Sequence, residues 1–271
     1  MTYGVAIGWR KEIAGFVADL PGLRFTEVVA ESLPSRGPAP PALTALRERG
    51  VAVVPHGVRL SLGGTDPVDP AQVAHLAHCA SIVDAPMVSE HIAFVRAGGT
   101  EAGHLLPLPR SREAVATVVS NVRRTQDGLP VPIALEPIAA LVEWPDDELT
   151  EAQFLTEILD RTGAPLLLDI ANVYANARNR GEDPLALLDA LPLDRIAYVH
   201  VAGGAEHDGL YHDTHTDPVP PAVLELVTAL CQRKVPPALM LERDGHYPPA
   251  PVLTAELDAI ADAAGLPRIT P

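Results

Sequence analysis

Eight short apolar runs, separated by stretches that carry helix-start signals, constrain this chain more than any other feature. They read Gly4 to Trp9, Phe25 to Glu31, Val51 to Val58, Met87 to Phe94, Pro132 to Ile138, Pro165 to Asn172, Ile196 to Gly203 and Pro237 to Asp244. Most are rich in Val, Ile, Leu and Ala and do not alternate strictly with polar residues. That is how strands buried on both faces of a parallel sheet read. Asp69-Pro70 and Asp183-Pro184 each offer an N-cap acceptor followed by a proline suited to the first helical position. Thr150 and Gln153 fit a capping box ahead of FLTEILDRT. Strand then helix, repeated eight times, predicts an α/β fold of the (β/α)8 TIM-barrel type. An open doubly wound sheet is the alternative. It usually has fewer strands and often a glycine-rich phosphate loop, and neither GxGxxG nor GxxxxGK[ST] is present. The Pro-rich stretch from Pro34 to Pro41 and the polar stretches Gly98 to Pro109 and Tyr174 to Asp183 read as connections within one unit. A barrel of about 250 residues accounts for the length, so residues 1–271 are expected to form a single domain.

Composition excludes several classes of function. The formal net charge is -15 and no Lys/Arg-rich run occurs, which argues against a nucleic-acid partner. No apolar run approaches the ~20 residues of a membrane span, and the N-terminus does not read as a signal peptide. Cys79 and Cys231, both in helix-like stretches, make no disulfide framework and read as small buried hydrophobes. A reducing cytoplasm suits them.

Ionisable residues gather at the ends of the runs. They are Glu31 in the second, His56 in the third, Glu90 and His91 in the fourth, Glu136 in the fifth, Asp169 and Asn172 in the sixth, and His200 in the seventh. Asp213 and His215 lie in the loop after it, and Glu242 and Asp244 close the eighth. One His or Glu at a strand end is more often a loop anchor. Burial of many carboxylates beside four imidazoles, however, needs positive charge to neutralise it. Divalent or trivalent metal ions supply that charge and accept these ligands. In a barrel the carboxyl ends of the strands share one face, where active sites lie. Imidazole and carboxylate without thiolate disfavours structural zinc and permits iron, manganese or catalytic zinc. The surplus of donors suggests two or three ions, with Glu136 placed to bridge. His75 and His78 on the helix after the third run read as a solvated or half-buried face. His104 and His207 lie in loops, and His212 and His246 are weak substrate-contact candidates.

The ordered set His56, His91, Glu136, Asp169, His200, Asp213, His215 and Glu242 resembles the trinuclear site of endonuclease IV and its xylose-isomerase-like relatives, in which the position held here by Asn172 carries a His. The longer strings HGVRLSLGG, SEHIAF, LLLDIANVYANARN, VHVAGG, DTHTDPV and LERDGHYP are more similar to the DUF692 family, the multinuclear non-haem iron-dependent oxidative enzymes of the MbnB type. The resemblance runs from about Gly4 to Pro248. It implies a TIM barrel holding two or three Fe ions and dioxygen-dependent modification of a ribosomally made precursor peptide, often at cysteine. It also implies a small partner protein that presents the peptide.

Carried over by position, His56, His91 and Glu136 resemble the ligands of one iron. Asp169, His200 and Glu242, with Glu136 bridging, resemble the second set, and Asn172, Asp213 and His215 the third. Glu136, Asp169 and His200 are the expected catalytic centre, with Glu31, Glu90 and Asp244 as supporting carboxylates. One departure stands out. The family has Glu-Asn on the fifth strand, where this chain has Glu136-Pro137, so an amide near substrate or metal is replaced. A zinc or manganese phosphoesterase or hydrolase is the alternative function. Sugar isomerases usually carry a lysine on a barrel strand, and Lys11 and Lys234 are at no strand end. A binding protein without catalysis fits the dense ligand cluster poorly.

Overall fold

The computed structural model describes residues 3–271. Its centre is an eight-stranded, all-parallel sheet built from β1 (Gly4–Ile7), β2 (Phe25–Val29), β3 (Ala52–Gly57), β4 (Val88–His91), β7 (Ile133–Glu136), β8 (Leu166–Asp169), β9 (Ile196–Val201) and β12 (Ala238–Leu241). In space they run β1-β12-β9-β8-β7-β4-β3-β2. The two ends of that order meet through a parallel bridge between Trp9 and Val28, where Trp9 N donates to Glu27 O at 2.6 Å and Thr26 Oγ1 donates to Ile7 O at 2.6 Å. The barrel is thereby nearly closed. All eight predicted strands are present. Most end a few positions before the corresponding apolar run does, because the ladder hydrogen bonds stop where the loops begin.

Helices α1 (Ala14–Asp19), α2 (Pro41–Glu48), α3 (Pro70–Ile82), α4 (Arg112–Gly128), α5 (Glu151–Thr162), α6 (Ile170–Arg180), α7 (Pro184–Ala190), α8 (Pro221–Arg233) and α9 (Ala250–Ala264) pack outside. The predicted starts are in place. Asp69 accepts from Ala71 N at the head of α3, and Asp183 accepts from Leu185 N at the head of α7. Thr150 and Gln153 form the reciprocal capping box of α5. Cys79 is buried on α3, and Cys231 is half-buried on α8. Among the described residues, no helix is long and apolar enough to cross a membrane.

Two expected connections are corrected. Tyr174 to Asp183 is not a polar loop, since α6 runs through most of it. Its Asn and Arg content masks a buried face of Ile170, Val173, Ala175 and Ala177, and Gly181 ends it in the left-handed conformation. The sixth apolar run therefore ends as a strand at Asp169, and Asn172 stands in the first turn of α6 rather than on the strand. Gly98 to Pro109 contains β6 (Thr100–Leu106), which pairs antiparallel with β5 (Phe94–Ala97). A second hairpin joins β10 (Ala205–His207) to β11 (Leu210–His212). Both are short, mostly exposed hairpins without the hydrophobic alternation that marks a core strand. Both follow carboxyl ends of barrel strands and so flank the mouth of the barrel.

Replacing Thr150 by Ala removes one half of the α5 capping box. Urea denaturation should show a loss of about 1 kcal/mol. An unchanged midpoint would contradict the assigned cap.

Candidate metal centre

The predicted site residues arrive at the mouth from several elements. His56 is on β3, Glu90 and His91 on β4, Glu136 and Asp169 are the last residues of β7 and β8, and His200 is on β9. Glu242 follows β12 directly, and the loop after β11 brings Asp213 and His215. His200, Asp169, Glu136, His56 and Glu242 are 0%, 1%, 2%, 2% and 4% exposed, so bulk water does not screen them.

The donors interlock around Glu136. Its Oε2 lies 3.3 Å from His91 Nε2 and 3.6 Å from His56 Nε2, while its Oε1 lies 3.4 Å from His200 Nδ1. His200 Nδ1 is also 2.8 Å from Glu242 Oε2. His215 reaches Glu242 Oε2 from Nδ1 at 3.5 Å, and Asp169 Oδ2 and Asp213 Oδ2 from Nε2 at 3.6 and 2.6 Å. Four sets of donor atoms fall within a metal ion's compass: His56, His91 and Glu136; Glu136, Asp169 and His200; Asp169, His215 and Glu242; and Glu27, His200 and Glu242. The first set has the composition expected around His56, whereas the expected set of Asp169, His200 and Glu242 with Glu136 is divided, Glu242 grouping with Asp169 and His215 or with Glu27 and His200. In the third, His215 sits with Asp169 and Glu242, and with Asp213 beside it. Asn172 donates from Nδ2 to the Pro137 carbonyl at 3.3 Å.

Hydrogen bonding leaves the centre unsatisfied. Among the described residues, the buried atoms Glu136 Oε2, Asp169 Oδ2, Glu242 Oε2, Asp213 Oδ1, Asn172 Oδ1 and His200 Nδ1 have no hydrogen-bond partner. Such atoms cost about 1–3 kcal/mol each when left bare, and their clustering on one centre is the pattern of a cation site. Asp169 shows the division of labour in one side chain: Oδ1 accepts from Ala171 N and Asn172 N, capping α6, while Oδ2 remains for the centre.

The supporting carboxylates behave differently from one another. Glu90 Oε2 accepts from Arg59 N and Leu60 N, and its Oε1 accepts from His91 N and lies 3.6 Å from His91 Nδ1. It shapes the loop after β3 as much as it faces His91. A Cβ at Gly57 would come within 2.7 Å of Glu90 Oε2 and push that carboxylate from its place. Glu31 accepts from Val58 N and anchors the same loop. Asp244 pairs with Arg10 and lies 3.5 Å from His215 Nδ1. Of the lower-ranked histidines, His75 bonds the Ala30 carbonyl and His78 is half-buried on α3. His104, His207 and His246 are exposed, and His212 is half-buried on β11. Sequence reasoning missed Arg10, which reaches Glu242 Oε1 at 3.3 Å. It also missed Glu27, Ser89 and Tyr198, which lie beneath the histidines inside the barrel. A polar residue in the middle of the run FTEVV was the available signal for Glu27.

Similarity to known proteins follows this geometry. Residues 4–265 match the family described as RiPP precursor modification enzyme MbnB/TglH/ChrH. The chain belongs to that family. A UPF0276 protein of Streptomyces avermitilis is 52% identical over 266 residues, covering 96% of this chain and 54% of that protein, so the chain spans about half the length of this relative. A UPF0276 protein of Caulobacter vibrioides is 40% identical over 242 residues, 89% of this chain and 86% of that one. Among solved structures, endonuclease IV from Thermus thermophilus superposes with a TM-score of 0.63 at 20% identity, covering 98% of this chain and 99% of the other. A xylose isomerase domain protein from Planctomyces limnophilus gives 0.62 at 15% identity, with 96% of each chain covered. At those identities the likeness concerns the barrel fold.

Protons and cations compete for the same nitrogens. Burial alone would strip His91 of its proton, but Glu136 and Glu90 outweigh it and raise His91 to about 9. Burial likewise disfavours charge on His200, and Glu242, Glu27 and Glu136 raise it well above the ordinary range. Burial would lift Glu136, yet His91, His200 and His56 hold it down to about 2. Below its pKa His91 must lose a proton before it can bind. Apparent affinity for a divalent cation should therefore climb with pH from 7 to 9, as measured by chelator competition, His200 adding to the rise. A flat profile across that interval would contradict the site.

Proposed function

We propose that this chain oxidatively modifies a cysteine-containing, ribosomally made precursor peptide, using dioxygen at a multinuclear non-haem iron centre. The observation that carries the reading is the convergence of four imidazoles with Glu136, Asp169 and Glu242 in one buried cluster, in a chain of the RiPP precursor modification family. The donor set fits iron: nitrogen and oxygen donors, buried, with unpartnered atoms aimed at shared centres. His56, His91 and Glu136 would hold one ion. Glu136, Asp169 and His200 would hold a second. Asp169, His215 and Glu242, with Asp213 and Asn172 alongside, would hold a third.

Bound iron supplies one-electron chemistry with dioxygen and a coordination position suited to a soft thiolate. The chain's own residues prepare the place for it. Neither of its cysteines competes for the cation. Burial pushes the Cys79 thiol up to about 12 and the Cys231 thiol up to about 11, and both lie on outer helices. A thiolate at the centre must come from the substrate. Arg10 orients Glu242 and Asp244. Glu90 and Glu31 fix the loop after β3 that borders His56. Apolar surface for an incoming peptide or its small presenting partner is available at Leu141, Val142 and Trp144, which are 43%, 58% and 42% exposed in the loop after β7, on the same face as the site. Asn172 and Asn176 of α6 tether that loop through the Pro137 and Ile138 carbonyls, so Pro137 shapes the wall of the site although it carries no amide of its own.

A zinc or manganese phosphoesterase is the second reading, favoured by a donor set that also suits a metal-activated water. Metal analysis of anaerobically purified protein separates the two. Two or three irons per chain with oxygen uptake on addition of a cysteine-containing peptide supports the oxidative reading. Zinc with phosphoester hydrolysis and no oxygen uptake overturns it.

Glu136→Gln removes the charge shared by two of the ion positions. Bound iron should fall by more than half and peptide-dependent oxygen uptake should disappear, read by elemental analysis and an oxygen electrode. Full iron content with normal turnover would remove Glu136 from its assigned place.

A further inference from the structure

We infer that one buried carboxylate, Glu27, sets the tautomers of two histidines of the centre, His56 and His200, through a one-way chain of hydrogen bonds inside the barrel. The inference rests on the metal-centre reading and assigns roles to Glu27, Ser89 and Tyr198 that it lacks.

The path is continuous. His56 Nδ1 lies 2.8 Å from Ser89 Oγ. Ser89 Oγ lies 2.7 Å from the Tyr198 hydroxyl. That hydroxyl lies 2.7 Å from Glu27 Oε2, and the same Oε2 lies 2.8 Å from His200 Nε2. Glu27, Ser89 and His200 are 0% exposed and Tyr198 1%, so water does not interrupt the path. The Tyr198 ring rests on Phe25, with centroids 5.1 Å apart, and Phe25 on Tyr3 at 5.4 Å. The polar path thus lies between an apolar floor and the metal cluster.

Counting hydrogens fixes the direction. An ionised carboxylate only accepts, whereas a hydroxyl has one hydrogen to give. The Tyr198 hydrogen and the His200 Nε2 hydrogen therefore both point at Glu27. With its hydrogen so committed, the Tyr198 oxygen accepts from Ser89. Ser89, committed in turn, accepts from a hydrogen on His56 Nδ1. Every donor along the path runs toward Glu27.

Two lone pairs are left free in consequence. His56 carries its hydrogen on Nδ1 and presents Nε2, which faces Glu136 Oε2 at 3.6 Å. His200 carries its hydrogen on Nε2 and presents Nδ1, which faces Glu136 Oε1 at 3.4 Å and Glu242 Oε2 at 2.8 Å. The two rings meet the centre through different nitrogens because they approach the same carboxylate from opposite ends of the chain. Reversing the path would place a hydrogen on His56 Nε2 and block it. Partners of this kind orient ligating imidazoles and raise their basicity, and losing one typically costs about 10–100-fold in metal affinity. Three further polar groups inside the barrel would be an expensive substitute for apolar packing if they served only themselves.

Glu27, Ser89 and Tyr198 are positioning residues. Their effects should be separable by site. Cobalt(II) is titrated into the full-length chain after chelator treatment, against a competing chelator, and His91→Ala identifies the signal of the ion held with His56. Ser89→Ala and the nearly isosteric Tyr198→Phe should weaken that ion by about 10–100-fold and leave the ion held with His200 at wild-type affinity. Glu27→Gln should weaken both. Melting of the chelator-treated variants is measured in parallel. Wild-type affinity at every position in Ser89→Ala and Tyr198→Phe overturns the inference. So does an equal weakening of all positions that tracks the loss in melting temperature, since that is what mere structural damage produces. A wild-type chain that takes up no cobalt overturns the metal-centre reading, and the inference with it.

Discussion

The structure depends on mutual neutralisation of opposite charges removed from water. Glu136 is buried among three imidazoles, Glu242 between His200, His215 and Arg10, and Asp169 beside His215. Buried ions of one sign are costly enough to displace a strand end or force a proton on or off. Their arrangement in alternation lets the barrel keep them at its carboxyl face, and the same alternation yields the overlapping donor sets. Atoms without hydrogen-bond partners sit where the sets overlap, which is where a cation would add what protein groups do not.

Parallel topology explains how such distant positions come together. Glu27 and His200 are 173 residues apart, yet share a hydrogen bond because β2 and β9 face one another across the barrel. A strand end in a closed parallel barrel can point only toward the common mouth or the encircling helices. Each βα unit therefore contributes one or two groups to a shared site without any local motif. The family match and the barrel neighbours agree with that architecture, while the chemistry depends on the residues placed on it.

Much of this was legible in sequence, for reasons that differ between elements. The strands were legible because both faces are buried, so most read as apolar runs with polar residues gathered at their ends. His56, Glu136 and Asp169 stood out for that reason. The helix α6 was illegible because its buried face includes Asn172 and Asn176 among alanines, and its last turn carries Arg178 and Arg180. Asn176, almost fully buried, uses its amide to hold the loop after β7, so a residue that looks solvated is structural. Glu27 and Tyr198 were hidden by the opposite effect. They lie within strands rather than at their ends, where a polar atom is usually dismissed as local. Only the fold reveals that Tyr198 and Ser89, 109 positions apart, share a hydroxyl contact. Distances between donors, and hence the sharing of Glu242 between His200 and His215, belong to three dimensions alone.

Asp169 has an effect on whatever binds beside it. With one oxygen held by two amides at the head of α6, it cannot grip a cation with both. An ion held there would find Asp169 Oδ2 free and Oδ1 already engaged. On the proposed reading, the helix onset would thereby leave room beside that ion for a guest atom. Loosening the first turn of α6 would let the carboxylate close over the ion and shut the guest out.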